Sequence, residues 1–232
     1  MKTIGIIGGS TDVATAEYYK CIVSGLNLRR GGFYTGEIII YSMDFGQSAR
    51  IVKGSLWEEG GRYLNQKALS LERAGADFII CVSNTWHCVA DAFMRDVRIP
   101  LLHIMDATGE AIRAANLTKV ALVGTKSTMS SGVLNIEAKK RFRVDVIVPT
   151  NEEQDILDTI IFTELSRALF TDESRAAYLE VFRALRRRGA EGVVLGCTEI
   201  PLLVKQADLP ELLMFDTLTL HAEAAVSMAL AE

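Results

Sequence analysis

The chain repeats itself. The stretch Leu71–Thr85 (LERAGADFIICVSNT) aligns without a gap on Leu185–Glu199 (LRRRGAEGVVLGCTE), 114 positions later. Each copy reads as a helix closing at a glycine, then an apolar strand, then a small nucleophilic or acidic side chain at the strand's end. Two further anchors keep the same order: Ile4–Ser10 parallels Val120–Lys126 at a spacing of 116, and Pro100–Asp106 parallels Pro210–Asp216 at 110. So long a period is foreign to solenoids of short units. It describes a duplicated α/β half-domain, and it sets Ser83 in the first copy against Cys197 in the second.

Strand-like runs are expected at Thr3–Ile7, Glu37–Ser42, Phe78–Val82, Leu101–Ile104, Val120–Val123, Val144–Val148, Val193–Leu195 and Leu213–Phe215. Helical periodicity falls at Ala14–Gly25, Leu56–Ala74, Thr85–Arg95, Ala107–Ala115, Ser131–Arg141, Glu152–Ala168, Glu173–Arg188 and Thr219–Ala231. Short apolar strands alternating with helices predict parallel sheets buried on both faces. The expected fold is α/β, with two pseudo-twofold related lobes, each a four-stranded parallel sheet flanked by helices. The lobes are expected at 1–116 and 117–232, with the last helix free to cross back onto the first. Ligands of such sheets collect beyond the carboxyl ends of the strands. Gly8–Thr11, Ser83–Thr85, Gly124–Thr128 and Cys197–Glu199 all fall there, so the site is expected in the cleft between lobes.

Bulk composition excludes several classes. The chain has 232 residues, is 49% apolar and carries a net charge of −4, which supports a large core and argues against nucleic acid as a partner. The basic triplet Arg186–Arg188 sits at a helix end, where cations complement the dipole. No apolar run approaches the roughly 18 residues of a membrane span, and the N-terminus opens into a strand without signal-peptide character. Cys21, Cys81, Cys88 and Cys197 form no CxxC pair, so a reducing, cytoplasmic setting is expected.

Among these cysteines only Cys197 follows a glycine at a strand end. A thiol at a helix N-terminus has its pKa lowered toward neutrality and can act as a base, against the alternative of a buried inert cysteine. Ser83 is a much weaker acid that needs an adjacent base; by itself it also reads as a helix N-cap, as do Asn84 and Thr85. These groups and nearby backbone N–H donors can hold a carboxylate. Gly8-Gly9-Ser10-Thr11 lacks the GxGxxG spacing, and Gly124-Thr125-Lys126-Ser127-Thr128 lacks the Walker spacing. An anion site is the reading for both. His87, His103 and His221 are scattered, so a metal site is not expected. The segment Phe45–Trp57, expected as a loop, carries Gln47, Arg50 and Lys53 as candidates for a second substrate carboxylate, Arg being best by its bidentate fork.

Taken together, MKTIGIIGGS with Ala14–Tyr19, the Ser83-Asn84-Thr85-x-His87 block and Gly196-Cys197-Thr198-Glu199-Ile200 closely resemble the aspartate/glutamate racemase family. The similarity runs to Phe215–Thr217 and His221–Glu223, and Glu199 after Cys-Thr resembles the aspartate racemase branch. The resemblance implies a two-lobed fold, no cofactor, neither pyridoxal phosphate nor metal, and a homodimer. It implies Cys197 and position 83 as the acid/base pair on opposite faces of Cα. It implies that Ser10, Asn84, Thr85, Thr125, Thr198 and Glu199 line the substrate site. Three departures stand out. Ser83 replaces the usual cysteine, where related L-aspartate/glutamate-specific enzymes tolerate threonine. Ser10-Thr11-Asp12 replaces Met-Gly-Pro, and Val52 replaces a polar residue, leaving Arg50 or Lys53 as substitutes.

The expected function is therefore a cofactor-independent racemase of acidic amino acids, slow or direction-biased because a poor acid faces a good base. Two rivals are a malonate-type decarboxylase that uses the single cysteine, and a non-catalytic amino-acid binding protein of racemase-like fold.

Overall fold

The computed structural model describes residues 1–132, 135–136 and 138–231. The chain divides into two compact units, Met1–Ile104 with Leu218–Glu232, and Met105–Thr217. The first holds β1 (Ile4–Gly8), α1 (Asp12–Arg30), β2 (Ile38–Ser42), α2 (Phe45–Lys53), α3 (Trp57–Arg73), β3 (Phe78–Cys81) and α4 (Ala90–Phe93). The chain then runs through α5 (Ile104–Ala114), β4 (Lys119–Val123), α6 (Lys126–Ser130), β5 (Asp145–Ile147), α7 (Asn151–Thr163), α8 (Asp172–Arg187), β6 (Gly192–Leu195), α9 (Ile200–Leu203), β7 (Leu213–Asp216) and α10 (Thr217–Leu230). No helix among the described residues is long and apolar enough to cross a membrane.

Both sheets are parallel, in the orders β2-β1-β3 and β5-β4-β6-β7. The duplication read in the sequence persists down to single hydrogen bonds. Ile4 pairs with Phe78 in one sheet, and the repeat-equivalent Val120 pairs with Gly192 in the other. Asp77 accepts from the Thr3 N–H at 2.6 Å, while its counterpart Glu191 accepts from the Thr118 and Lys119 N–H groups at 2.7 and 3.0 Å. Those backbone donors hold the Glu191 carboxyl below the usual range. Gly75 and Gly189, which end the two repeat helices, both adopt positive φ, +96° and +93°, the left-handed conformation that closes a helix cheaply only with glycine.

The first sheet has three strands where four were expected. Residues 101–104 contribute one bridge, Leu101 to Ile79, in place of a strand. The Ile79 N–H donates to the Pro100 carbonyl at 2.8 Å and the Leu102 N–H to the Ile79 carbonyl at 2.9 Å. The ladder then stops, because the Ile104 N–H is taken by His87 Nε2 at 3.3 Å and Ile104 opens α5.

Other differences are local. The segment expected as a loop over Phe45–Trp57 contains α2, capped by Asp44, whose side chain accepts from the Gln47 N–H at 2.7 Å. The expected helix Thr85–Arg95 splits into a 3₁₀ turn, Thr85–Val89, and α4. The expected helix Glu152–Ala168 breaks after Thr163, with Ala168 left-handed at φ 55°. Of the expected helix over 131–141, residues 133, 134 and 137 lie outside the described residues, and Ala138–Phe142 forms a π turn.

Strand alternation sorts the core. In the first unit Ile4, Ile6, Phe78 and Ile80 pack with Tyr18, Ile22 and Leu26 of α1 and Leu218, Ala222 and Val226 of α10. Ile7, Ile79 and Cys81 point the other way, onto Ile51, Leu64, Ala68, Leu71 and Trp86. In the second unit Ala121, Val123, Val193 and Leu195 meet Leu157, Ile161, Tyr178, Phe182 and Leu185. Each of the Val, Leu, Ile and Phe side chains among them contributes about 1.5–3 kcal/mol on burial, and the alanines less.

Candidate active site

The sequence-predicted residues other than Arg50 fall at the carboxyl ends of β1 and β3 in the first unit and of β4 and β6 in the second. In the first unit, β1 turns into α1 through Gly9 at φ +82°, where a Cβ would lie 2.2 Å from the Met43 carbonyl oxygen. Thr11 caps α1, its hydroxyl accepting from the Ala14 N–H at 3.0 Å. Between them, the Ser10 hydroxyl is shielded from solvent with no hydrogen-bond partner among the described residues. A buried, unmatched hydroxyl costs free energy, and a polar ligand group at this strand end would remove the cost.

Ser83 is half-buried just beyond β3, with Asn84 and Thr85 buried after it. Its environment depends on the tautomer of the fully buried His87. The Ile104 N–H donates to His87 Nε2 at 3.3 Å, so the ring proton sits on Nδ1, which donates to the Ser83 carbonyl at 2.9 Å. His221 is fixed in the same way. Its Nε2–H donates to the Leu102 carbonyl at 2.9 Å, so Nδ1 accepts from the Tyr18 hydroxyl at 3.0 Å. His87 lies 4.4 Å from His103 and 5.9 Å from His221 between ring centroids. Burial, then repulsion from these two rings, holds His87 well below the ordinary histidine range, and burial lowers His221 to about 4. Both rings stay neutral with every ring nitrogen committed. His87 thus orients the Ser83 backbone and has no ring nitrogen left to serve as a base for the Ser83 hydroxyl. Nearby, burial pushes the Cys81 thiol up to about 12, which marks it as inert packing.

In the second unit the ends of β4 and β6 approach closely. A Cβ on Gly124 would lie 2.8 Å from the Gly196 carbonyl oxygen, and one on Gly196 would lie 2.8 Å from that of Val123. Thr125 caps α6, accepting from the Thr128 N–H at 3.2 Å. Cys197, Thr198 and Glu199 are all buried. The Cys197 Sγ–H donates to Glu199 Oε2 at 3.0 Å, and the Thr198 hydroxyl donates to the same oxygen at 3.0 Å.

This corrects the expectation of a thiol lowered toward neutrality. Burial, first, and the Glu199 carboxylate, second, push Cys197 well above its ordinary range. The Glu199 N–H pulls the other way, and more weakly. The reason is geometric: α9 begins three residues after the thiol and spans only Ile200–Leu203, a dipole too short to offset an adjacent carboxylate. Tyr178, absent from the sequence-based site, feels the same field. Burial and the negative charges around Cys197 and Glu199 raise its phenol well above the ordinary value.

Arg50 does not stand alone. It projects from α2 into an ion pair with Glu59, both half-exposed. Val52 is buried in the first-unit core, and Lys53 closes α2.

The sequence profile of the family described as Asp/Glu/Hydantoin racemase matches residues 4–225. The chain belongs to that family. Membership places it among isomerases. The structure of an aspartate racemase homologue from Pyrococcus horikoshii is 35% identical, covers 99% of each chain and superposes with a TM-score of 0.81. That of a candidate Asp/Glu racemase from Yersinia pestis is also 35% identical, covers both chains fully and gives 0.90. The glutamate racemase of Desulforudis audaxviator is 25% identical over 196 residues, 82% of this chain and 69% of that one. The α/β fold with two parallel sheets flanked by helices is the fold of these racemases.

Proposed function

We propose that this protein is a cofactor-independent racemase of acidic amino acids, aspartate or glutamate, working by removal and return of the Cα proton. The observation that carries the reading is the buried Cys197 thiol at the end of β6, hydrogen-bonded to a carboxylate, at the position repeat-equivalent to Ser83. Cys197 exchanges a proton with one face of Cα. Ser83, or a water it holds, serves the other face. Asn84, Thr85, Thr198 and adjoining backbone N–H groups bind the α-carboxylate and stabilise the charge that develops on it as the proton leaves. Ser10 and Thr125 complete the lining, and Arg50 is the candidate for the side-chain carboxylate, at the cost of its pair with Glu59. A cytoplasmic homodimer belongs to the same proposal.

Incubation with each enantiomer of aspartate and glutamate, followed by chiral chromatography, tests it. Loss of optical purity that disappears in Cys197→Ala supports the reading; unchanged enantiomers of all four rule it out. A hydroxyl at position 83, with the His87 ring nitrogens both committed, favours one alternative, protonation of a decarboxylated intermediate by Cys197 alone. Carbon dioxide released from a disubstituted malonate, with no racemisation, would establish that alternative.

A further inference from the structure

Away from the candidate active site, the second unit holds a charged groove of about 440 Å³, a size ordinary for small-molecule sites. Arg183, Arg186 and Arg187 of α8 line it, together with Glu211 from the loop that leads into β7. Arginines at a helix C-terminus complement the dipole, but that accounts for neither the groove nor its carboxylate. Arg187 and Arg183 share Glu180, at 3.2 and 3.9 Å. The Arg186 guanidinium and the Glu211 carboxylate have no hydrogen-bond or ion-pair partner among the described residues, and they do not pair with each other.

The repeat supplies an internal comparison. Arg186 is the counterpart of Glu72, 114 positions earlier. In the first copy Glu72 Oε1 accepts from the Arg98 N–H at 2.8 Å, tying the end of α3 to the loop ahead of Pro100. Arginine has no acceptor, so position 186 forms no such tie toward the loop ahead of Pro210. The second copy thus exchanges a closing hydrogen bond for an unpaired cation facing the same groove as an unpaired carboxylate.

We infer that this groove is a second binding site, for a small zwitterion with an excess of negative charge, namely a free acidic α-amino acid. Its carboxylates meet Arg186 and Arg187, whose planar forks donate paired hydrogen bonds to such groups. Its ammonium donates to Glu211. Three guanidiniums set against Glu180 and Glu211 leave one positive charge in excess, which an acidic amino acid matches. A polyphosphate would gain from the arginines but meet repulsion at Glu211. The inference goes beyond the racemase reading and does not rest on it, because it uses only the lining of this groove.

The test is the rate of phenylglyoxal modification of Arg186 in the whole protein, read by mass spectrometry of its peptide. Arg62, exposed on α3 in the other unit, serves as the reference for reagent consumed by free amines. Aspartate or glutamate at about 10 mM should slow Arg186 by about tenfold for a dissociation constant on the order of 1 mM. Succinate, which lacks the ammonium, should slow it by less than about threefold, and Glu211→Gln should bring aspartate down to the succinate level. No slowing by either amino acid overturns the site. Equal slowing by aspartate, succinate and pyrophosphate in wild type also overturns it, by marking a plain anion patch, and that comparison needs no variant to fold. Turnover is not read. A protein that racemises nothing yet shows aspartate protection keeps this site and loses the racemase reading, while an active racemase with unprotected Arg186 loses this site alone.

Discussion

The Nδ1–H of His87 points to the carbonyl oxygen of Ser83 at 2.9 Å, and the other ring nitrogen is held by the Ile104 N–H. The His87 imidazole is therefore unable to take the Ser83 hydroxyl proton. An alcohol is a much weaker acid than a thiol, so the two repeat-equivalent positions are chemically unequal.

Ser83→Cys restores a thiol and should raise racemisation by tenfold or more, since a thiol lies closer to neutral pH than an alcohol. Enantiomers have equal free energy, so kcat/KM must match in the two directions. The imbalance in this protein appears as unequal kcat values for the two enantiomers, and the substitution should bring them together. Progress curves started from each enantiomer read this directly. An inactive but folded variant would contradict the assignment of position 83.

His87→Ala removes the acceptor of the Ile104 N–H and the donor to the Ser83 carbonyl, leaving both stranded in a buried cavity. The expected loss is about 3–5 kcal/mol, measured as a lower urea midpoint with unchanged slope. His87→Asn, which keeps a donor, should cost less.

Acid stability follows from the neutral histidines. His221 titrates at about 4 in the folded protein against about 6.5 when unfolded. Its folded value is depressed, so above pH 6.5 neither state binds the proton and nothing is lost. As pH falls below 6.5 the unfolded chain takes up the proton first, and stability drops until about pH 4. The shift corresponds to about 3 kcal/mol for His221, with His87 adding in the same direction. Urea midpoints between pH 4 and 7 should decline on this slope, and a flat profile would refute the neutral cluster.

Gly9→Ala places a Cβ 2.2 Å from the Met43 carbonyl oxygen at a positive φ. Both penalties apply at once, so a loss of about 3 kcal/mol or more is expected. Thermal unfolding measures it.

Much of this was legible in the sequence, for a definite reason. The two copies share strand hydrophobicity, a left-handed glycine and a carboxylate that binds the neighbouring strand's first N–H groups. These are local requirements that recur wherever the same half-domain is built. What was missed depends on distant partners. Leu101–Ile104 has strand composition, but the Ile104 N–H goes to His87, 17 residues earlier. Helix α2 had a visible cap in Asp44, yet its apolar face is weakened by Gly46 and Ser48, and burial of Ile51 and Val52 decides it. At Cys197 the neighbours Thr198 and Glu199 were in plain view. Their direction was not: only the fold shows the carboxylate turned back onto the thiol, where burial and charge override a short helix.

The claim that most needs testing is that Cys197 moves a proton at Cα. Enzyme incubated in deuterated water with each enantiomer of aspartate and glutamate, and sampled by mass spectrometry, answers it. Deuterium should enter Cα of at least one of these amino acids with wild type and fall by about 1,000-fold or more with Cys197→Ala. Equal incorporation by wild type and Cys197→Ala, or none by wild type, would contradict the account.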